Sequence, residues 1–124
     1  MGRETPEAVL QAIVNGINAG DLGSLMTLYE PDAVFAPQPG KLASGLPGIR
    51  EALSNFVDAK GTFDLKIARV LKGGDFALVI SVWSFVGTWP DGQPIKLAAK
   101  SADVLRRQED GTWKFVIDNP WGTD

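Results

Sequence analysis

The chain has 124 residues, of which 44% are hydrophobic and 22% are charged. That length and balance are typical of one soluble globular domain, so we expect a single cytoplasmic domain over residues 1–124. The net charge of −3, without a run of Lys or Arg, argues against nucleic acid or an anionic membrane as a partner. No apolar stretch is long enough to span a membrane, and the first residues do not resemble a secretory signal.

Cysteine and histidine are both absent. The sequence therefore offers no disulfide, no thiol nucleophile, no Ser-His-Asp triad and none of the usual zinc ligands. Acid–base chemistry would have to use Asp, Glu, Lys, Tyr or Arg. We expect neither a metal nor a cofactor, because no glycine spacing is typical of a phosphate site and the candidate acids are too few to hold a cation.

The first half of the chain is predicted to be mainly helical. One helix begins at Thr5-Pro6, a second begins at Asp21 and ends at Pro31, and a third begins at Pro47. "DAVFA" is predicted to be a short strand, and "PQPGKLASG" a loop. Apolar residues recur at helical spacing in the three helices: Leu10, Ile13, Val14 and Ile17; Leu22, Leu25, Met26 and Tyr29; Ile49, Ala52, Leu53, Phe56 and Val57.

Four longer strands are predicted after Gly61, over 62–72, 75–89, 94–108 and 112–121. The segments "GGD", "PDG" and "EDG" between them are typical of hairpin turns. The order of elements, α-α-β-α-β-β-β-β, indicates an α+β fold in which helices cover one face of an antiparallel sheet.

Counting across the turns predicts which strand residues share a face. A two-residue turn at Asp110-Gly111 places Asp103 opposite Asp118, whereas a three-residue loop with a bulge would shift the pairing by one. The same count across the preceding turn makes Ile80 the neighbour of Asp103. One face then contains Leu78, Ile80, Val82, Ser84, Leu97, Ala99, Ser101, Asp103, Leu105, Val116 and Asp118. The other contains Trp83, Phe85, Lys96, Lys100, Val104, Arg106, Phe115 and Ile117.

The basic residues indicate that the second face is outside, so Asp103 and Asp118 lie inside on an apolar wall. Burial and like charge both raise the pKa of a carboxyl group, so we expect the two acids to titrate as a coupled pair. One of them would stay protonated near neutral pH. In the alternative interpretation, both acids are structural and hydrogen-bond to groups around Ser101 and Asn119.

Three segments carry a family resemblance: "INAGDLGSLMTLYEPDAVF", "SGLPGIREAL" and "DVLRRQEDGTWKFVIDN". With them, nearly the whole chain resembles the nuclear transport factor 2-like superfamily, and within it the SnoaL-like and ketosteroid isomerase-like branch. The resemblance implies a cone in which a strongly curved, mainly antiparallel sheet wraps around three N-terminal helices, commonly as a dimer. The fold serves isomerases, cyclases, dehydratases, hydrolases and association domains, so it does not by itself imply one reaction.

Of the three catalytic residues of ketosteroid isomerase, only one has a matching residue type at the corresponding position of this sequence. The position of that enzyme's general base is Pro37 in this sequence, and the position of its oxyanion tyrosine is Ile13. Its protonated aspartate, which an apolar site keeps neutral, matches Asp103. Steroid isomerisation by that mechanism is therefore not expected. The resemblance also implies that Leu78, Ile80, Val82 and Ser84 line the pocket.

The sequence thus predicts a pocket protein that acts as a cofactor-free acid–base enzyme of the isomerase, cyclase or dehydratase type. Asp103 would be the neutral donor to a developing oxyanion, and Asp118 the base or the partner that holds its proton. The alternative is a non-catalytic ligand-binding or association domain. A small, mostly apolar substrate would contact Tyr29, Phe35, Phe56, Leu78, Ile80, Val82, Ser84, Leu105 and Val116, with the Tyr29 hydroxyl near the mouth of the cone.

Two further expectations concern the surface. The proline-rich segment 36–45 is predicted to border the pocket entrance and to be more mobile than the strands. The outer sheet face is predicted to form a homodimer interface, because an apolar patch with a basic fringe is seldom left in water. Its predicted members are Trp83, Phe85, Val104, Phe115 and Ile117.

Overall fold

The computed structural model describes residues 3–122, which form three helices and six strands. The elements are α1 (Pro6–Ala19), α2 (Leu22–Met26), β1 (Tyr29–Gln38), β2 (Lys41–Ser44), α3 (Gly45–Asp58), β3 (Thr62–Gly73), β4 (Phe76–Thr88), β5 (Pro94–Arg107) and β6 (Trp113–Asp118). None of the helices in the described range is long and apolar enough to cross a membrane.

The six strands form one curved sheet in the order β2-β1-β6-β5-β4-β3. The pair β1–β6 is parallel, and the other neighbouring pairs are antiparallel. The helices lie on the concave face, so the core forms between them and the sheet. The predicted fold, an α+β domain with a curved, mainly antiparallel sheet around three helices, is confirmed.

Helix α1 begins and ends at the predicted signals. The Thr5 hydroxyl accepts a hydrogen bond of 3.1 Å from the Ala8 N–H, and Pro6 occupies the first turn. The helix ends at Gly20, whose φ of 69° is left-handed. Val9 and Leu10 are fully buried against the sheet, and this packing fixes one wall of the cone.

The β4–β5 hairpin is one residue longer than predicted, and this reverses the two faces of β4. The Trp89 N–H donates to the Gln93 oxygen at 2.8 Å, which leaves a three-residue loop in which Gly92 has a φ of 91°. Val79, not Ile80, is then the neighbour of Asp103. The face prediction for β4 was therefore wrong. The residues facing the helices are Ala77, Val79, Ser81, Trp83 and Phe85, while Leu78, Ile80, Val82 and Ser84 lie on the convex face.

The β5–β6 hairpin also has a three-residue loop, since the Gln108 N–H donates to the Thr112 oxygen at 2.7 Å. A second irregularity at Val116 corrects the shift, because Leu105 pairs with Phe115 but Val104 pairs with Ile117. Phe115 is consequently buried on the concave face, where the opposite had been predicted, and Ile117 remains outside as predicted. Continuing this register by one residue brings Asp118 beside Asp103.

The segment around β1 and β2 differs from its prediction. Tyr29 opens β1 and does not extend α2, and the predicted loop at 37–45 contains the end of β1 and all of β2. Prolines had argued against a strand here, since they cannot donate to a sheet. The structure accommodates them with pairing irregularities, between Tyr29 and Val34 on one edge and between Phe35 and Gln38 on the other.

Candidate functional site

A cavity of about 60 Å³ lies between the concave face of the sheet and the helices. Its wall is mostly apolar, with contributions from α1, α3, β3 and β4. Most of the polar side chains on the wall come from β1, β5, β6 and the segment after β6: Tyr29, Ser101, Asp103, Asp118 and Trp121. The indole of Trp83 on β4 adds one more N–H. Polar chemistry in this cavity is thus concentrated on one side of an apolar chamber.

Four groups on this side form a continuous hydrogen-bonded chain. The Tyr29 hydroxyl donates to Asp118 Oδ2 at 2.5 Å. The side chains of Asp118 and Asp103 are hydrogen-bonded to each other. The N–H of Asn119 donates to Asp103 Oδ1 at 2.8 Å. The two acids therefore form a pair whose outer partners are a phenol and a backbone amide.

The surroundings of the pair make its two members different. Burial raises the pKa of Asp103 well above its ordinary value, and the neighbouring Asp118 charge raises it further, while the Asn119 N–H opposes the rise. Burial also raises the pKa of Asp118, but the hydrogen bonds from Tyr29 and Asp103 lower it. The shared proton is accordingly placed on Asp103 and the negative charge on Asp118.

Both acids line the cavity wall, but they differ in the exposure of the whole residue. Asp103 is only 2% exposed, whereas Asp118 is partly exposed. Burial raises the pKa of the Tyr29 hydroxyl well above its ordinary value, and the Asp118 charge adds to that rise. Tyr29 thus remains a neutral donor to the Asp118 side chain.

The predicted substrate-binding residues fall into three groups. Tyr29, Phe35 and Phe56 line the cavity. Leu105 is fully buried in the core but is not on the cavity wall, and Val116 lies at the irregularity in β6. The remaining four, on the convex side of β4, cannot contact a ligand in this cavity, because the hairpin shift turned them outward: Leu78, Ile80, Val82 and Ser84.

Several wall residues were not predicted from the sequence. Trp83 was assigned to the outer face, but its indole N–H donates to the Pro120 oxygen at 2.6 Å and its ring packs edge-on against Trp121 at 5.3 Å. Trp121 itself lies beyond the last strand, where only its nearness to Asp118 in the sequence could have drawn attention to it. Pro37 and Ile13 also line the cavity, at the two positions where the resemblance to ketosteroid isomerase was lost.

Metal binding has no support at this site. Within residues 3–122 no group of three or more acidic side chains lies close enough together to hold an ion, and two coupled acids with one proton are a poor ligand set for a hard cation. What the arrangement can do is move a proton. It pairs a carboxylate with a neutral acid in an apolar chamber.

Comparison with known proteins gives one family match. Residues 10–116 match the family described as the SnoaL-like domain. No curated protein matches the chain at a significant level.

Solved structures with the same fold have diverse descriptions. A ketosteroid isomerase-like protein from Erwinia carotovora atroseptica has 25% identity and a TM-score of 0.78, with 90% of this chain and 88% of that chain covered. A candidate dehydratase of the NTF2-like family from Streptomyces avermitilis has 17% identity and a TM-score of 0.74, with 91% and 90% covered. A candidate calcium/calmodulin-dependent protein kinase type II association domain from Thiobacillus denitrificans has 17% identity and a TM-score of 0.78, with 97% and 96% covered.

The family match extends from α1 to β6 and so takes in nearly all of the described elements. The structural similarities cover the same range and share the curved sheet around three helices. The chain therefore belongs to the SnoaL-like domain family and has the NTF2-like fold.

Proposed function

We propose that this protein is a cofactor-free acid–base enzyme that acts on a small, mostly apolar molecule. Asp118 is the general base, and Asp103 carries the proton that keeps the pair singly charged. One observation supports this most strongly: a carboxylate open to an apolar cavity is hydrogen-bonded to a buried acid whose pKa is raised. Strongly shifted, coupled acids in a cavity are more typical of a reaction site than of a surface.

The proposed step is removal of a proton from carbon. Asp118 takes the proton of a C–H bond beside an electron-withdrawing group, so that the C–H bond breaks and an O–H bond forms on the carboxyl. The electron pair moves into the substrate and onto its acceptor oxygen. Return of the proton to another carbon is an isomerisation. If a neighbouring carbon carries a hydroxyl group, Asp118 returns the proton to that oxygen as the C–O bond breaks, and the group leaves as water in a dehydration. Burial helps because it brings the pKa of the base closer to neutral pH.

The neighbouring groups position the base. Tyr29 and Asp103 both hydrogen-bond to the Asp118 side chain, so its orientation is fixed before a ligand enters. The apolar walls from α1 and α3 exclude water, which strengthens electrostatic interactions in the cavity. Asp103 is thus a positioning residue for Asp118 as well as the holder of the pair's proton.

A second function, ligand binding or association without catalysis, is favoured by a different observation. The carboxyl groups of both acids already have partners within the protein, namely Tyr29, Asn119 and each other. Such a satisfied cluster can serve structure alone. The cavity of about 60 Å³ is also small beside the usual volume of a ligand pocket, roughly 300–1,000 Å³, so a larger ligand would require the walls to open.

Hydrogen–deuterium exchange separates the two functions. The protein is incubated in D₂O at neutral pH with a panel of activated ketones, and deuterium incorporation at carbon is followed by NMR. We expect catalysed exchange that falls by at least about 100-fold in Asp118→Asn. Asp103→Asn should keep the fold, since volume and a donor are preserved, and should also lose about 100-fold.

Asp64→Asn is the matched control, because Asp64 is exposed on the opposite face of the sheet. It should exchange like the wild type. If the wild type is no faster than buffer across the panel, or if Asp118→Asn exchanges at the wild-type rate, the enzyme proposal fails and the binding function is favoured.

A further inference from the structure

Three buried polar atoms have no hydrogen-bond partner among the described residues: Ser81 Oγ, Ser101 Oγ and Trp121 Nε1. A buried polar group without a partner loses its hydrogen bonds to water and gains none in return, so such groups are uncommon in folded proteins. Ser101 and Trp121 line the cavity, whereas Ser81 does not. Two unsatisfied donors therefore lie on the wall of the site that already contains the acid pair.

The fold brings the two segments that carry these donors next to each other, and both donors line the cavity. Ser101 precedes Asp103 by two residues on β5 and points to the same concave face, about 7 Å along the strand. The segment after β6 runs beside it, since the Ala102 N–H donates to the Asn119 oxygen at 2.9 Å. A Cβ on Gly122 would lie 2.8 Å from the Lys100 oxygen, so the backbone next to Trp121 runs close to the residue that precedes Ser101 on β5.

We propose that Ser101 Oγ–H and Trp121 Nε1–H bind an oxygen atom of the ligand, and that the ligand is a neutral, mostly apolar carbonyl compound. An indole N–H can only donate, and a serine hydroxyl can donate, so the partner they lack is an acceptor. The inference deepens the proposed function by naming the substrate class for the same cavity, but it rests on binding and can be tested without turnover.

Charge selects a neutral ligand. No Lys or Arg in the described chain lines the cavity, and Asp118 carries the negative charge of the pair, so a carboxylate or phosphate would be repelled. A cation would be drawn to Asp118 and would leave both donors unsatisfied. An uncharged carbonyl oxygen satisfies the donors and adds no charge next to the pair.

The spacing also suits the proposed reaction. About 7 Å of strand separates Ser101 from Asp103, so a small ketone whose oxygen binds at Ser101 has room to place the carbon next to its carbonyl near the acid pair. The electron pair released when Asp118 takes the proton then moves onto an oxygen that two hydrogen bonds stabilise. Ser101 and Trp121 would in this way both orient the substrate and stabilise its developing charge.

The experiment compares two probes of the same shape, cyclohexanone and methylenecyclohexane, which differ in having a carbonyl oxygen or a CH₂ group. Binding is followed through the indole ¹H–¹⁵N signal of Trp121, assigned with Trp121→Phe. We expect cyclohexanone to shift this signal downfield to saturation, and methylenecyclohexane to leave it in place. Cyclohexanecarboxylate should bind more weakly than the ketone.

Ser101→Ala and Ser81→Ala are a matched pair, since both remove a buried hydroxyl that has no partner, from directly opposed positions in β5 and β4. Neither should lower the thermal midpoint, because an unsatisfied group is removed. Ser101→Ala should weaken cyclohexanone binding about three- to tenfold, as for the loss of one neutral hydrogen bond. Ser81→Ala should bind like the wild type.

Absence of cyclohexanone binding, equal binding of the hydrocarbon, or equal weakening by the two Ser variants would overturn the inference. Its outcome is separable from that of the enzyme proposal. Ketone binding with the Trp121 shift but without deuterium exchange leaves this inference standing and removes the catalytic one. Conversely, deuterium exchange that Ser101→Ala leaves unchanged, together with no shift of the Trp121 signal, would remove this inference and leave the enzyme proposal standing.

Discussion

At the residue scale, the account depends on why the proton rests on Asp103 and the charge on Asp118. Asp103 is almost fully enclosed, and its one opposing contact is the Asn119 N–H. Asp118 has two donors, Tyr29 and Asp103, and lines the cavity. Hydrogen bonds to the ionised form lower the pKa of a carboxyl group. Asp118, which accepts two such hydrogen bonds, therefore keeps the negative charge and can act as the base.

Tyr29→Phe tests the contribution of the phenol. Without its hydrogen bond, the pKa of Asp118 should rise further, because that hydrogen bond is the largest influence lowering it. The acidic limb of the pH–rate profile for deuterium exchange should therefore move to higher pH, while the fold is retained. A profile that loses height but keeps its position on the pH axis would mean that Tyr29 does not tune the base.

Asp103→Asn tests the same pair through stability. The folded protein holds a proton on Asp103 that the unfolded chain releases near the ordinary value of 3.8. This contribution to stability is present below that value and is lost as pH rises through the folded pKa, by at most about 1.4 kcal/mol per pH unit for one proton. Urea unfolding across the pH range should show the wild type losing stability relative to the variant. Parallel curves would contradict this.

At the scale of the elements, two hairpin loops decide which side chains reach the cavity. The loops "PDG" and "EDG" each have three residues and end in a left-handed glycine, with φ of 91° at Gly92 and 86° at Gly111. Because side chains alternate along a strand, each extra loop residue exchanges the two faces of the next strand. In β6 the irregularity at Val116 exchanges them again, and this brings Asp118 back to the inner face.

Gly92→Ala tests the loop. A side chain in the left-handed region costs about 1–2 kcal/mol, so the variant should be less stable by that amount in urea unfolding. Gly73→Ala, in the neighbouring hairpin, is the control, because its φ is not left-handed and no atom lies within 4 Å of an added Cβ. Equal stability of the two variants would show that the loop does not need glycine.

The sequence was sufficient for the parts of the fold that depend on strong local signals. The caps of α1, the start of α2, the hairpin positions and the neighbourhood of Asp103 and Asp118 were predictable, whereas α2 ends before the predicted Pro31 and α3 begins before the predicted Pro47. The face of β4 was not, because turn composition does not distinguish a two-residue from a three-residue loop when both favour Asp-Gly. Nor could local patterns show the parallel β1–β6 pairing that brings Tyr29 to the acid pair, since its partners are far apart in the chain.

At the scale of the whole molecule, the convex face of the sheet is more apolar than a solvent-exposed face usually is. Leu71, Leu78, Val104 and Ile117 form one row across four neighbouring strands. Three of them are exposed, as are Val82 and Val86 on β4. Of the residues predicted for this surface, Val104 and Ile117 lie on it, whereas Trp83, Phe85 and Phe115 are buried inside the cone.

We propose that a second copy of the chain covers this row, since a two-fold axis makes one patch complementary to itself. Sedimentation at micromolar concentration should show a dimer, and Leu78→Asp should convert it to a monomer with an unchanged circular dichroism spectrum. Lys96→Asp changes a charge at an exposed position of the same face and should leave the dimer largely intact. A wild-type monomer would contradict the proposal.

The central claim is that Asp103 and Asp118 share one proton at neutral pH, and carboxyl NMR titration of ¹³C-labelled protein tests it most directly. We predict that Asp103 stays protonated far above its ordinary value of 3.8, that the pKa of Asp118 is also raised but by less, and that Asp118→Asn removes the coupling. Two independent titrations near pH 4, unaffected by changing either acid, would contradict the account.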